Sequence, residues 1–489
     1  MDRRLAVGPD NFRGVPVLVA GLGETGVAAA RGLVDLGAHV TAVDSRPEVA
    51  GAAELPAAVR VHADADWSAL AQVALATDPA IVIASPGLSP RTPLLAQAAA
   101  AGVPIWSEVE LAWHVGDPNV SWLTLTGTNG KTTTVGMVES ILAAAGRHVP
   151  AVGNVGRSIL TTVLGARAAG SGLDALAVEL SSFQLHYTYS LAPLASCCLN
   201  IAEDHQDWYD SMAAYTADKA RVYTGTRVAC VYNELDPPTR RMVEAADVAD
   251  GARAVGFTLG SPQVGQLGVV EDVLADRAFA TRRQTHAEEL GSLADLEHLA
   301  LGAPPPHLVG NALAAAGLAR AGGVVPEQVA QGLRDYRGGE HRIQHVGTVA
   351  GVRYVNDSKA TNSHAARASL AGLEPGRGVW IAGGLAKGAD FDELVSQIAD
   401  RLRAVVVIGT DPGPILGALG RHAPDLPRVV VPAGETEVMD RAVTYAADLA
   451  QAGDVVVLAP ACASQDQFSS YAARGAAFTA AVRQLGGGR

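Results

Sequence analysis

Residues Trp122–Thr134 read WLTLTGTNGKTTT, an order of residue types suited to holding phosphate. Trp122–Thr126 alternates bulky and polar side chains, as a strand does. Gly127, Thr128, Asn129 and Gly130 follow as a turn of small residues, and beyond Lys131 the residues Val135, Val138, Leu142 and Ala145 recur at helical spacing. A glycine turn between strand and helix lets backbone N–H groups close on phosphate oxygens at the positive helix end. Lys131 can lie between terminal phosphates, and the Thr132 hydroxyl can ligate Mg²⁺. The spacing departs from the strict Walker pattern, because the expected first glycine falls on Leu125 and the available one is Gly127. The composition nonetheless predicts an ATP site.

Such a loop needs partners from neighbouring elements. The apolar run Leu173–Leu180 carries Glu179 near its end, where the carboxylate can either meet a magnesium ion beside Thr132 or face solvent. Cys197–Ile201 predicts another strand, followed by Glu203, Asp204 and His205. One histidine after a strand serves structure as readily as catalysis. Lys219 falls within Tyr215–Tyr223, which has helical spacing. Pro304–Pro306 stops the chain, and His307–Ala319 begins a helix with Asn311 one turn in; His307 could equally be a cap. Residues 235–300 are acidic and weakly patterned, and they predict little.

The first hundred residues carry a second glycine turn. The apolar run Val15–Ala20 leads into Gly21-Leu22-Gly23-Glu24-Thr25-Gly26 and an alanine-rich helix, and the next run, His39–Val43, ends at Asp44, 18 positions after the last glycine. Alone, this suggests a nicotinamide cofactor, although any nucleotide diphosphate would satisfy the same chemistry. Ile81–Ala84 ends in Ser85-Pro86-Gly87, again a loop at a strand's carboxyl end, where ligands of open α/β sheets collect. Gly116–Asn119 breaks the pattern. Farther on, Arg337–Arg342 reads as a hinge, and five runs follow it: Val352–Asn356, Val379–Ala382, Ala404–Ile408, Arg428–Val431 and Val455–Ala459. Their ends carry Asp357-Ser358-Lys359, Gly383-Gly384 and Pro460-Ala461-Cys462, small and polar residues gathered at one sheet edge. The pattern predicts three α/β domains: 1–118 and 339–489 Rossmann-like, and 119–338 a P-loop mononucleotide-binding domain.

Composition excludes several classes. With 489 residues, 48% apolar and 18% charged, the chain can bury sizeable cores and is not disordered. A net charge of −13 argues against binding nucleic acid, which needs cations to neutralise phosphates. No apolar stretch is long enough to span a membrane, and Met1–Gly14 has three arginines but no signal core. Cys197, Cys198, Cys230 and Cys462 lack CxxC spacing, so buried reduced thiols and a cytoplasmic address are expected.

Six segments together carry a resemblance. TGTNGKTTT at 126–134, ELSSFQL at 179–185 and NIAEDHQDWY at 200–209 resemble the central domain of the Mur ligases, ATP-dependent amide-forming enzymes of peptidoglycan precursor synthesis. DSKATN at 357–362, GGLAKGADF at 383–391 and PACASQDQF at 460–468 are similar to the D-glutamate-adding branch, and the Asp-Asn-Pro-Arg box of the diaminopimelate-adding branch is missing. The resemblance implies that Gly21, Gly23, Thr25 and Gly26 cradle the diphosphate of UDP-N-acetylmuramoyl-L-alanine. Ser45, Arg46 and the Ser85-Pro86-Gly87 loop would then lie near the uridine, with Asn154 and His205 toward the muramoyl-alanine end. It thereby replaces the nicotinamide reading. It further implies that Gly127–Thr133 bind ATP and that Thr132, Glu179, His205 and Lys219 serve two Mg²⁺ ions, Lys219 as a carbamate. His307 and Asn311 would be at adenine, and Arg342 and Asp357 would come onto ATP after closure. Lys131, His205, Lys219 and Arg342 form the implied catalytic set. Lys359, Thr361, Lys387, Ser464 and Tyr471 would bind D-glutamate, Tyr471 standing where the family often has Phe. Lys387 is expected as a buried cation needing an anionic partner. A monomer is expected. A folylpolyglutamate synthase relative would share the ATP chemistry without needing both loops 21–26 and 85–87, and a non-catalytic nucleotide sensor would need neither Lys387 nor Ser464.

Overall fold

The computed structural model describes residues 12–154, 156–170, 172–204, 208–432 and 437–487. The chain divides into two compact units, Met1–Ser292 with Gly310–Tyr336, and Leu293–Val309 with Arg337–Arg489. The division falls within one helix, Pro306–Ala321.

The first unit holds two sheets. One has five parallel strands in the order Arg60–Ala63, His39–Asp44, Pro16–Ala20, Ile81–Ala84, Ile105–Trp106. The order reverses beside the first strand, so Ala20 and Ala84 are register partners and the loops that follow them open together at the carboxyl edge. The other sheet has nine strands, and Ser121–Thr126 lies between Ala195–Cys198 and Ala175–Glu179. Ala175–Glu179, buried along its whole length, read as an apolar run, whereas Ser121–Thr126 showed itself by alternating bulky and polar side chains although its threonines are buried as well. The expected strand Cys197–Ile201 is shifted: the strand is Ala195–Cys198, and Leu199–Ile201 leave the sheet to meet the glycine loop. Residues 235–300, which predicted little, contain four strands, Arg253–Phe257, Gln266–Val270, Val273–Asp276 and Glu288–Ser292. The last two pair antiparallel and extend the sheet, each with only one or two fully buried apolar side chains.

Two close approaches hold this unit together. A Cβ on Gly32, in helix Glu24–Asp35, would lie 2.6 Å from Leu164 of helix Ile159–Ala169. That second helix begins on Glu108, which accepts from Ser158 Oγ and from Leu160 N at 3.2 Å. Helix Pro326–Asp335 packs on the phosphate-loop helix Lys131–Ala144, where Ser140 Oγ donates to Gly332 O at 2.7 Å.

The second unit is built on one six-stranded sheet, ordered Gln344–Val349, Val352–Asn356, Val455–Leu458, Gly378–Gly383, Leu402–Ile408, Arg428–Val430. All but the first pair run parallel, and apolar clusters cover both faces. The five runs expected as strands form them. The half-exposed edge strand Gln344–Val349 gave no apolar signal. All four cysteines are free and buried, and among the described residues no helix is long and apolar enough to cross a membrane.

Candidate active site

Gly127 and Gly130 take φ of +154° and +84°, backbone that favours glycine, and they turn the chain from Thr126 into the helix at Lys131. That helix has no side-chain cap, so its first N–H groups are available to an anion. The loop is clamped from the neighbouring strand's exit. Asn200 O accepts from Thr128 N at 3.0 Å, Asn200 Oδ1 accepts from Asn129 N at 2.8 Å, and Ala202 N donates to Thr128 Oγ1 at 3.0 Å. Tyr215 Oη lies 3.0 Å from the same threonine oxygen. Asn311 packs against the loop's exit, where a Cβ on Gly130 would meet its Oδ1 at 2.4 Å.

Two lysines meet behind this loop. Lys131 Nζ donates to Gly127 O and Thr128 O, both at 2.8 Å. Lys219, on helix Met212–Ala220 and 2% exposed, donates to Gly127 O at 2.9 Å and Thr126 Oγ1 at 3.3 Å. Burial, with Lys131 as the next cause, pulls the Lys219 amine down to about 7. His186 Nδ1 lies 2.7 Å from Asp218 Oδ2, tying the Lys219 helix to the segment that follows Glu179.

Glu179 ends the strand beside the loop strand, in register with Leu125. Its Oε1 accepts from Asn154 Nδ2 at 3.2 Å, while Oε2 is buried without a partner. A Cβ on Gly153 would come within 2.1 Å of Glu179 O, so glycine is needed for Asn154 to reach this carboxylate. Among the described residues no cluster of three His, Cys, Asp or Glu forms a ready metal cage, and His205 lies outside them. The donors present still fit Mg²⁺, which takes one or two protein oxygens and fills its shell with water and phosphate. The unpartnered Glu179 oxygen and the Thr132 hydroxyl are of that kind.

At the edge of the first sheet, Gly21, Gly23, Thr25, Ser45, Arg46, Ser85, Pro86 and Gly87 line one cavity of about 340 Å³. Gly26 is not in its wall. A Cβ there would lie 1.8 Å from Gly21 O, so Gly26 lets the turn close. Asp44 is spent on the protein itself, accepting from Leu22 N at 2.7 Å and bonding Arg46 through both oxygens at 2.9 Å.

In the second unit the three motif loops are joined. Leu385 and Ala463 exchange backbone bonds of 2.9 and 3.1 Å, and Lys359 Nζ sits 3.8 Å over the Tyr471 ring. Ser464 Oγ is buried without a partner, and Thr361 N donates to Lys359 O at 2.8 Å. Lys387 is exposed, at φ +51°, which corrects its expected burial: the glycine-rich loop lifts it off the sheet edge. Asp357 is buried, accepts from Ser369 Oγ, and is pushed up to about 6 by burial. Arg342 follows a tight turn, donating its N–H to Gly339 O at 3.2 Å, and His307 stands exposed on the first turn of its helix.

Comparison with known proteins decides the family. Residues 16–107 match the Mur ligase MurD-like N-terminal domain, 125–319 the Mur ligase middle domain, and 341–462 the Mur ligase glutamate ligase domain. A UDP-N-acetylmuramoylalanine--D-glutamate ligase of Streptomyces avermitilis is 53% identical over 483 residues, covering 97% of this chain and 99% of the relative. The chain belongs to the Mur ligase family. A similarly named enzyme of Streptomyces coelicolor is 51% identical over 98% of this chain and 100% of its own length. The fold is shared with a UDP-N-acetylmuramate-alanine ligase from Thermotoga maritima, at TM-score 0.55 and 16% identity over 96% and 99% of the two chains.

Several residues of this Mur ligase shape its site although the sequence analysis gave them no role there. Trp67 lines the first cavity from the start of a helix preceded by the exposed strand Arg60–Ala63. Asn200 and Tyr215 grip the glycine loop from about 70 and 87 positions away, a separation no local pattern reports.

Proposed function

We propose that this Mur ligase joins D-glutamate to UDP-N-acetylmuramoyl-L-alanine, using ATP and releasing ADP and phosphate, in the cytoplasm. The observation that carries this reading is the near full-length identity to enzymes of that name. A carboxylate is a poor electrophile, so the L-alanine carboxylate first attacks the terminal phosphorus of ATP. The acyl phosphate then accepts the D-glutamate amine, and phosphate leaves from a tetrahedral intermediate. The chain's own task is to position these groups and to stabilise the charge they develop.

The roles follow the resemblance and the geometry together. Gly127–Thr133 are assigned to the ATP phosphates, with Lys131 moving from the loop carbonyls onto them. His307, Asn311, Arg342 and Asp357 are also assigned to ATP. Gly21, Gly23, Thr25, Ser45, Arg46 and Ser85–Gly87 are assigned to the UDP end, and Asn154 and His205 to the muramoyl-alanine end. Lys359, Thr361, Lys387, Ser464 and Tyr471 are assigned to D-glutamate, whose carboxylates suit lysine and hydroxyl donors. Thr132, Glu179, His205 and Lys219 would hold Mg²⁺. Bound there, the metal neutralises charge on the transferring phosphoryl group.

Lys219 suits that role as a carbamate. An ammonium about 4 Å from a dication would cost roughly 8 kcal/mol at an effective dielectric of about 20. An amine held near 7 is largely neutral just above neutrality, and a neutral amine adds CO₂ to give a carbamate and a proton. The acyl-phosphate route is tested with labelled oxygen in the L-alanine carboxylate. One labelled atom should leave in the released phosphate; full retention of label in the peptide would contradict the route.

A further inference from the structure

Arg474 is 0% exposed, on the first turn of helix Tyr471–Gly487. Its planar fork makes four hydrogen bonds, all of them to neutral acceptors. Nε donates to Ser358 Oγ at 3.0 Å, Nη2 to Ser358 O at 2.9 Å, and Nη1 to Cys462 O at 3.1 Å and Ala463 O at 3.3 Å. A buried guanidinium without a bonded carboxylate is costly, and burial draws its pKa down to about 10, which still leaves it charged at neutral pH. A helix of this sequence could dock through apolar residues alone, so the retained charge asks for a reason.

The bonded positions supply one. Ser358 immediately precedes Lys359, and Ala463 immediately precedes Ser464. Ala463 also carries the bridge to Leu385, two residues before Lys387. Ser358 Oγ in turn donates to Tyr471 O at 2.7 Å. Arg474 therefore binds the backbone of two of the loops assigned to D-glutamate, and the third is bonded to one of them. The packing around it is tight: a Cβ on Gly384 would lie 2.4 Å from Ala463 O and 3.2 Å from Nη1.

We infer that Arg474 is a positioning residue for the amino-acid substrate. It fixes the Ser358–Lys359 and Ala463–Ser464 backbones relative to each other without touching the ligand, and its charge adds positive potential under a site that takes two carboxylates. This rests on the reading of that sheet edge as the D-glutamate site. Lysine keeps the charge but loses the planar fork that spans both loops.

The test is steady-state kinetics of Arg474→Lys and Ser358→Ala, varying D-glutamate, ATP and UDP-N-acetylmuramoyl-L-alanine in turn. The KM for D-glutamate should rise about tenfold in Arg474→Lys and by about threefold in Ser358→Ala, with the other two KM values within about twofold of wild type. Ser358→Ala removes one acceptor and keeps the guanidinium buried, so it carries the test should Arg474→Lys not fold. An unchanged D-glutamate KM, a loss confined to kcat, or equal rises for all three substrates would overturn the inference. Wild-type enzyme that does not use D-glutamate would instead overturn the reading on which it rests.

Discussion

Lys131 and Lys219 donate to one acceptor, the carbonyl oxygen of Gly127, at 2.8 and 2.9 Å. Two amines on one carbonyl are like charges at close quarters. The more buried of them, Lys219, has its pKa lowered to about 7, first by burial and then by Lys131. Lys131 thus adds to burial in holding the Lys219 amine low, the state that the proposed carbamate needs.

The first prediction tests that state. Lys219→Ala should lose at least about a hundredfold in turnover, and added acetate should restore part of it by supplying oxygens where the carbamate stood. Near-normal activity of the variant without acetate would contradict the carbamate. So would wild-type enzyme in labelled bicarbonate that shows no carbamate carbon signal.

Asp357 makes a prediction about pH. Its carboxyl titrates near 6 in the fold against 3.8 in the ordinary state, so the folded protein binds the extra proton between these values. Stability from this group is then full below about pH 4 and is lost as pH rises through about 6, by roughly 2–3 kcal/mol. Asp357→Asn should accordingly melt above the wild type at pH 7.5, with the difference vanishing near pH 4, while its turnover falls. Melting curves across that range decide it, and a variant that melts lower at pH 7.5 contradicts the burial account.

Gly26 gives a third. Its side-chain position is filled by Gly21 O at 1.8 Å, so Gly26→Ala must push the glycine turn open. Affinity for the UDP substrate, measured by calorimetry, should fall by at least about tenfold, because the turn's amides no longer converge on the diphosphate. Unchanged affinity would show that the diphosphate does not sit on this turn.

What the sequence made legible follows from how local each signal is. Gly127, Gly130 and Lys131 act through their own turn, and the buried strands announce themselves as apolar runs. Asp44 was visible as a partner for a ligand, yet it serves the loop itself through Leu22 N and Arg46. Lys387 was expected as a buried cation from its assignment to a substrate carboxylate, and its own loop leaves it exposed. The roles of Asn200, Tyr215 and Arg474 were not legible, Asn200 although it opens the 200–209 motif, because Asn200 and Tyr215 act on a loop more than 70 residues away and Arg474 on Ser358 at a separation of 116. The strands within 235–300 were hidden because each is four or five residues long and mixes polar or glycine residues with few apolar ones.

The central claim is that this enzyme activates one carboxylate and gives it to one amine. The direct measurement is phosphate release with UDP-N-acetylmuramoyl-L-alanine and ATP while the amino acid is varied. D-glutamate should support turnover, and L-glutamate, L-lysine and D-alanine should leave it at background. Equal turnover with L-lysine would contradict the assignment.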